Sequence, residues 1–502
     1  MDWTQQTISA RSNQIIIDKS YNVYGVGIDY NFDSDGDIFI IKCDSSGNII
    51  WQNDFAGLSG LNDNSFSLCL DDSANLYVAG LIDKDLSSST GIIIKYDSAG
   101  NIKWSRTAPA SEETGKVVTD GRNIFGLEYI LDTIQSILRA GISKYDIAGN
   151  LLFLNTDTSN FETIGYDLAI DSSKNLYVTG LSIPPSSVQK VFLTKYDTLG
   201  NLIWKKIFND SIYSFCDAKL LTLDDSANIY ITGYTAHSGT LTGYDCILIK
   251  YDSSGLLKWF QVYTVSGGNN WESPLAIDCN GNRISITGRL ELNAGPDPAN
   301  LFFLSYDTDG NLLFSDTLNG PSNGAEFGNG VVIDSSGNSF VTGLVSDSNF
   351  VRQIIVMYDS LGQRSIIDNR PANSQGFKIL LDNESNLYTC GSYADTNHVN
   401  FYGTIVKYFR NLNTGEQKIY SQLPEISVFP NPFINTFYIK GIDLMHMVVY
   451  MDIYDSENRK VKYTFENDGN FIKINTANIL PGVYFIKIQT KNNIINKRII
   501  KL

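Results

Sequence analysis

The chain has 502 residues, with 38 lysines and arginines against 54 aspartates and glutamates, a net charge of −16. That balance argues against a nucleic-acid partner, which needs a basic stripe, and reads as a solvated acidic surface. The length allows a full core and a second domain, 41 glycines against 12 prolines suit many tight turns, and no apolar run is long enough for a membrane-spanning helix.

The chain opens Met1-Asp-Trp3-Thr-Gln-Gln, without the basic start and apolar stretch of a signal peptide. From Asp18 a pattern Asp-x-x-x-Asn-x-Tyr-x-x-Gly recurs about every 52 residues, starting again at Asp71, Asp171, Asp224, Asp278, Asp334 and Asp382, with a degraded copy at Thr119. A second pattern, Lys-Tyr-Asp-x-x-Gly-Asn, interleaves with it and places aspartates at Asp44, Asp97, Asp146, Asp197, Asp252, Asp307 and Asp359. Its eighth copy stops at Lys407-Tyr408-Phe409. Each repeat holds two turn signals flanked by runs rich in Val, Ile, Leu, Tyr and Phe, so each predicts two hairpins. Four strands in about 52 residues make one propeller blade, and eight repeats make an all-β, eight-bladed propeller over residues 1–410.

An aromatic follows the second turn at Trp51, Trp104, Phe153, Trp204, Trp259 and Phe314, gives way to Arg364 in the seventh copy, and has no counterpart in the eighth. Trp3 supplies it from the other end of the chain. The N-terminal strand is therefore expected to complete the last blade and close the ring. The stretch from Gly126 to Ala140 is expected to carry one short helical insertion.

Turn chemistry accounts for the aspartates and glycines, since Asp accepts nearby backbone N–H groups and Gly supplies positive φ. Calcium is the competing reading at Asp33-Ser-Asp35-Gly-Asp37 and Asp307-Thr-Asp309-Gly-Asn311. Neither run continues to a terminal Glu, so no cofactor is expected. The six cysteines, Cys43, Cys69, Cys216, Cys246, Cys279 and Cys390, show no metal spacing and mostly occupy strand positions, as small apolar side chains do.

Both short turns of each repeat fall on one face of the ring. The variable connections fall on the other: 81–90, 234–245, 260–271, 289–300, 315–330 and 392–403. Variable loops on a rigid scaffold carry binding, and aromatics there give the candidate ligand-binding residues Tyr234, Tyr263, Trp271, Phe327, Tyr393 and Tyr402. Such rings serve as platforms for sugars or peptides, or pack beneath their own loops. Of three histidines, His237 and His398 sit in these loops and His446 in the tail, and no nucleophile elbow, zinc or phosphate motif occurs. Glu112, Glu113, Glu272, Glu291 and Glu326 break the repeat, and a glycosidase or lyase would draw on them.

The Asp-x-x-x-Asn-x-Tyr-Val-Thr-Gly and Lys-Tyr-Asp-x-x-Gly-Asn cores resemble the SBBP β-propeller repeats of secreted bacterial proteins over about residues 10–410. That resemblance implies the architecture and no particular activity.

Residues 411–424 read as a linker and 425–502 as a separate unit. That unit carries +3, which leaves −19 for the rest of the chain. Alternating runs around Phe437–Lys440, Val448–Tyr454, Phe471–Ile474 and Val483–Ile488 predict a small Ig-like β-sandwich. Four blocks here resemble the type A C-terminal sorting domain of the type IX secretion system: Val428-Phe-Pro430-Asn431-Pro432, Ile453 to Val461, Leu480-Pro-Gly482-Val-Tyr484-Phe-Ile486, and a basic end with Lys497 and Arg498. The resemblance implies export across the outer membrane of a Bacteroidetes-type bacterium, with the secretion machinery as partner. It also implies removal of this domain, followed by release or attachment to surface lipopolysaccharide. The expected function is an extracellular or cell-surface binding or adhesion module for glycan or protein. A surface scaffold without a specific ligand, or an enzyme using loop carboxylates, is the alternative.

Overall fold

The computed structural model describes residues 3–501 apart from 7–9, 31–35, 58–60, 86, 186–187, 211, 238–242, 266–269, 293–298, 321–323, 348–349, 395–400, 409–426, 430–433, 441–447, 456–458, 468–471, 477–478 and 491–493. The chain divides into two compact units, Met1–Asn413 and Thr414–Leu502.

The first unit holds eight four-stranded antiparallel sheets, and these are the blades of a propeller. Blade 1 is built from Ala10–Ile17, Val23–Tyr30, Gly36–Cys43 and Ile49–Phe55, paired in that order. Blades 2 to 7 repeat the arrangement over residues 63–107, 111–156, 162–207, 213–263, 271–318 and 327–372. Blade 8 takes three strands from Ser374–Leu381, Leu387–Ala394 and Phe401–Tyr408, and its fourth from Trp3–Gln6 at the start of the chain. Trp3 pairs with Lys407, the register that Trp51 holds on Lys42, Trp104 on Lys95 and Trp204 on Lys195. The expected closure is thus present, with the first tryptophan in the slot the repeat reserves for it.

Burial follows strand order. Third strands such as Lys190–Tyr196 are buried almost throughout, whereas fourth strands such as Leu202–Ile207 are exposed at both ends, as befits the rim. First strands line the axis, where each contacts the first strands of its neighbours.

The first turn shows why its motif spans seven residues. Asp171 accepts the N–H of Asn175 at 2.8 Å on one carboxylate oxygen, while the Asn175 amide and the Tyr177 hydroxyl donate to the other at 2.8 and 3.0 Å. Asp18, Asp71, Asp224 and Asp382 are held identically. The motif glycine nine residues later faces a β-bulge in the first strand. A Cβ on Gly180 would lie 1.9 Å from the Ile164 carbonyl oxygen.

Two copies depart. Asp278 lies ten residues before Gly288 instead of nine, so it falls within a strand and the turn is made at 281–282. Its carboxylate accepts the Ile333 N–H of blade 7 at 2.7 Å instead. In blade 3, Thr119 replaces the aspartate and Glu128 replaces the glycine, and a second irregularity in the first strand makes room for the longer side chain. Glu128 is fully buried and accepts hydroxyls from Ser111 and Thr114 at 2.7 and 2.8 Å, and from Ser143 at 2.5 Å.

The helical expectation for Gly126–Ala140 is incorrect. Strands Asn123–Asp132 and Ile137–Asp146 meet in a turn at 133–136, which Asp132 caps by accepting the N–H groups of Ile134 and Gln135. Ile134 completes a helix-like apolar spacing but lies at the exposed tip. The connection expected at 81–90 is also mostly strand, with Leu76–Asp85 running almost directly into Ser88–Tyr96.

Adjacent blades are fastened by a second set of repeated contacts. Where the second pattern keeps its lysine, that side chain donates to a carbonyl in the next blade's second turn: Lys42 to Ser98, Lys95 to Ile147, Lys195 to Ser253, and Lys407 across the closure to Ser45. The aromatic one strand further out donates to the same carbonyls, Trp51 to Ser98 and Trp104 to Ile147, both at 3.1 Å, and its ring lies beneath the turn glycine. In blade 6 Ser305 stands at the lysine position and Arg283 donates to the Ser360 carbonyl instead, at 2.9 Å. Blade 7 faces a blade without a second turn, and there the code lapses altogether. Met357 stands at the lysine position and Arg364 at the aromatic one, pairing with Asp316 at 2.8 Å. In their place Arg370 donates to the Tyr408 hydroxyl at 3.3 Å and to Thr4 of the N-terminal strand at 3.2 Å.

The second unit consists of two four-stranded antiparallel sheets. Phe437, Ile439, Ile472 and Ile474 of one sheet and Ile453, Tyr484, Ile486 and Ile499 of the other form a single buried cluster. No helix among the described residues is long and apolar enough to cross a membrane.

Candidate binding site on the loop face

Eight internal copies show which positions a blade can vary. The residue after the motif glycine position is Ile28, Leu81, Leu181 and Leu344 in blades 1, 2, 4 and 7, but Tyr129 in blade 3, Tyr234 in blade 5, Arg289 in blade 6 and Ser392 in blade 8. The extra residue of the first-strand bulge is Lys219 in blade 5. The departures of blades 5 and 6 converge. Lys219, Tyr234, Pro274, Leu275, Arg289 and Phe327 line one open cavity of about 470 Å³ shared by blades 5, 6 and 7.

Two cations reach this cavity. The Lys219 ammonium lies 2.7 Å from Asp217, 3.9 Å from the centre of the Tyr166 ring and 5.4 Å from that of Tyr234. Burial works against its charge, but Asp217 outweighs that cost and raises the lysine pKa. Burial pushes the Asp217 carboxyl upward against the pull of the same lysine. Arg289 stands over the Phe327 ring at 5.6 Å and pairs with Glu291 at 2.5 Å. Neither Asp217 nor Glu291 lines the cavity wall.

Aromatic rings continue from the cavity to the surface. Tyr234 stacks on Phe215 at 5.8 Å and meets Tyr244 at 5.2 Å, and Tyr244 meets Trp271 edge-on at 5.0 Å. Trp271 is 41% exposed, the end of the string offered to solvent.

The structure therefore gathers Tyr234, Trp271 and Phe327 into one neighbourhood. Tyr263 packs into the core between blades 5 and 6, alongside Cys246, Leu290 and Phe302. Tyr393 and Tyr402 face each other at 6.0 Å in blade 8 and line no part of the cavity. Lys219 and Arg289, with Phe215 and Tyr244, were not singled out from the sequence. Aligning the repeats on their glycines exposes the first two, because both stand where most copies hold Ile, Leu or an uncharged residue.

The repeat-breaking acids have structural work. Glu272 is fully buried and accepts the Val265 N–H at 3.1 Å, and burial pushes its carboxyl up to about 7. Glu326 is fully buried and accepts the Ser346 N–H at 3.2 Å. Asp63 occupies the same strand position in blade 2 and accepts N–H groups from Gly57 and Asp83. These side chains tie loop backbone to the blades. Burial raises the Glu113 carboxyl.

Among the described residues no group of three His, Cys, Asp or Glu side chains is placed to hold a metal. Asp307 spends its oxygens on the N–H groups of Asp309 and Asn311 and on the Asn311 amide. Asp33 and Asp35 lie outside the described residues, as does His398. All six cysteines are unbridged, and five are buried.

In the second unit, Tyr484 is buried and its hydroxyl donates to the Leu480 carbonyl at 2.6 Å, fixing the turn before the strand Gly482–Thr490. Lys497 and Arg498 pair in register with Ile486 and Phe485 in the final strand. Pro430, Asn431 and Pro432 lie outside the described residues, as does the 411–424 stretch.

Residues 427–502 match the family of secretion system C-terminal sorting domains. A sorting domain of this kind marks the chain as secreted or displayed at the cell surface. The propeller unit has distant likenesses. A WD repeat-containing protein, L264 of Acanthamoeba polyphaga mimivirus, is 25% identical over 193 residues, which cover 32% of this chain and only 14% of the relative's length. The polysaccharide lyase Uly1 is 10% identical with a TM-score of 0.46, covering 79% of this chain and 89% of that one. The β-propeller domain of the Trilobed protease from Pyrococcus furiosus is 10% identical with a TM-score of 0.39, covering 69% and 98%.

Proposed function

We propose that the propeller is an exported binding module for a glycan or protein, that its ligand docks on the cavity shared by blades 5, 6 and 7, and that the sorting domain engages the type IX machinery and is afterwards removed. One observation carries the binding reading. Lys219 and Arg289 stand on the cavity wall at positions where the other copies hold uncharged residues. Trp271 extends the same neighbourhood to solvent, as a platform residue should. The catalytic alternative loses support because Glu272 and Glu326 are buried and committed to loop backbone.

Saturable binding of the full chain on glycan and protein arrays is the test. Trp271→Ala and Tyr234→Ala should each weaken binding about tenfold or more, the effect of losing an aromatic anchor at the centre of an interface. Blank arrays, or binding that ignores both changes, would favour the scaffold.

A further inference from the structure

We propose that the cavity between blades 5, 6 and 7 takes an acidic sugar, a pyranose with a carboxylate on its ring. The inference deepens the binding reading above and rests on it. A pyranose has an apolar C–H face and an edge bearing its polar groups. The cavity presents both complements. Tyr234 and Phe327 line it and Trp271 stands nearby in the open, while Arg289 supplies a cationic donor and Lys219 a second positive charge.

The Arg289 donors are not exhausted. A guanidinium has five N–H groups and an ammonium three. Among the described residues Arg289 spends one nitrogen on Glu291, whereas the Lys219 ammonium already meets Asp217 and the Tyr166 and Tyr234 side chains, and contributes charge more than free donors. The guanidinium carbon lies 5.6 Å from the Phe327 ring centre, and a guanidinium carries its N–H groups in a fork that matches a carboxylate. The wall itself contains two cations and no anion. A volume of about 470 Å³ lies in the range of small-ligand sites and suits one or two sugar rings. The whole chain carries −16, so distant charge repels a polyanion and selectivity falls on the local pair.

Titration calorimetry on the full chain tests this with four probes: a glucuronic-acid-bearing oligosaccharide, a neutral glucose oligosaccharide of the same length, a sulfated one, and an acidic peptide. The uronate should bind about tenfold or more tighter than the neutral sugar, the scale of a charge-assisted hydrogen bond. Arg289→Gln should remove most of that margin and weaken neutral-sugar binding far less, in a chain whose unfolding transition is measured alongside. Arg289→Lys should keep part of the margin. Equal binding of acidic and neutral sugars, or equal loss of both in Arg289→Gln, would overturn the acidic preference. The site itself would survive if Trp271→Ala still abolished binding. Tighter binding of the sulfated sugar or the peptide would overturn the sugar carboxylate as ligand. Failure of every probe to bind would overturn this inference and count against the binding reading.

Discussion

Gly310 and Gly281 both adopt positive φ, at +91° and +57°, yet they face different surroundings. A Cβ on Gly310 would meet the Trp259 indole at 2.9 Å, whereas one on Gly281 would meet nothing within 4 Å. Gly281→Ala should cost only the left-handed backbone penalty, roughly 1–2 kcal/mol. Gly310→Ala should cost more, by about 1–3 kcal/mol for the forced shift of a packed ring. Denaturant midpoints of the two variants measure the difference directly, and equal midpoints would show that the ring under the turn does not fasten the blades. The glycine and its aromatic were both visible in the sequence as periodic marks. Their contact was not, because it joins residues of different repeats. Glu128 was harder still. Its place in a glycine slot depends on an irregular first strand that nothing local announces.

The strand Trp3–Gln6 is the shortest strand of the blades and carries the largest responsibility. It completes blade 8, covers the edge of Phe401–Tyr408, and receives Arg370 from blade 7. Removing residues 1–6 should lower the denaturant midpoint and raise the tendency to associate, because it leaves an open sheet edge. Unchanged unfolding and a monomeric sedimentation profile in the truncated chain would contradict this. The closure was legible because a missing aromatic at one end matched a spare one at the other. The hairpin at 123–146 was misread because apolar residues at Ile130, Ile134 and Ile137 mimic a helical period around an exposed turn tip. The candidate site was only half legible. Aromatics in variable loops drew attention to Tyr234, Trp271 and Phe327. Tyr263 looked the same in sequence, yet its ring turns inward between two blades. Lys219 lies inside a strand, where a search of loops does not reach, and Arg289 opens the 289–300 connection but is not an aromatic.

At the scale of the whole chain, the two units divide labour. The charge difference between them, +3 against −19, gives them distinct surfaces. Truncation before residue 427 should leave the blades folded and stop export. Fractionation of a host with the type IX machinery should find the truncated chain in the periplasm and the full chain outside. Equal amounts of both in the medium would separate residues 427–502 from sorting.

Joining the first strand to the last three has a temporal cost. Trp3 and Lys407 are neighbours in space but are made about four hundred residues apart. During synthesis the opening segment has no partner until nearly the entire ring has emerged. The protein therefore stays an unsealed arc for most of its time on the ribosome, and a chain still unsealed is one that can be threaded across a membrane before it locks.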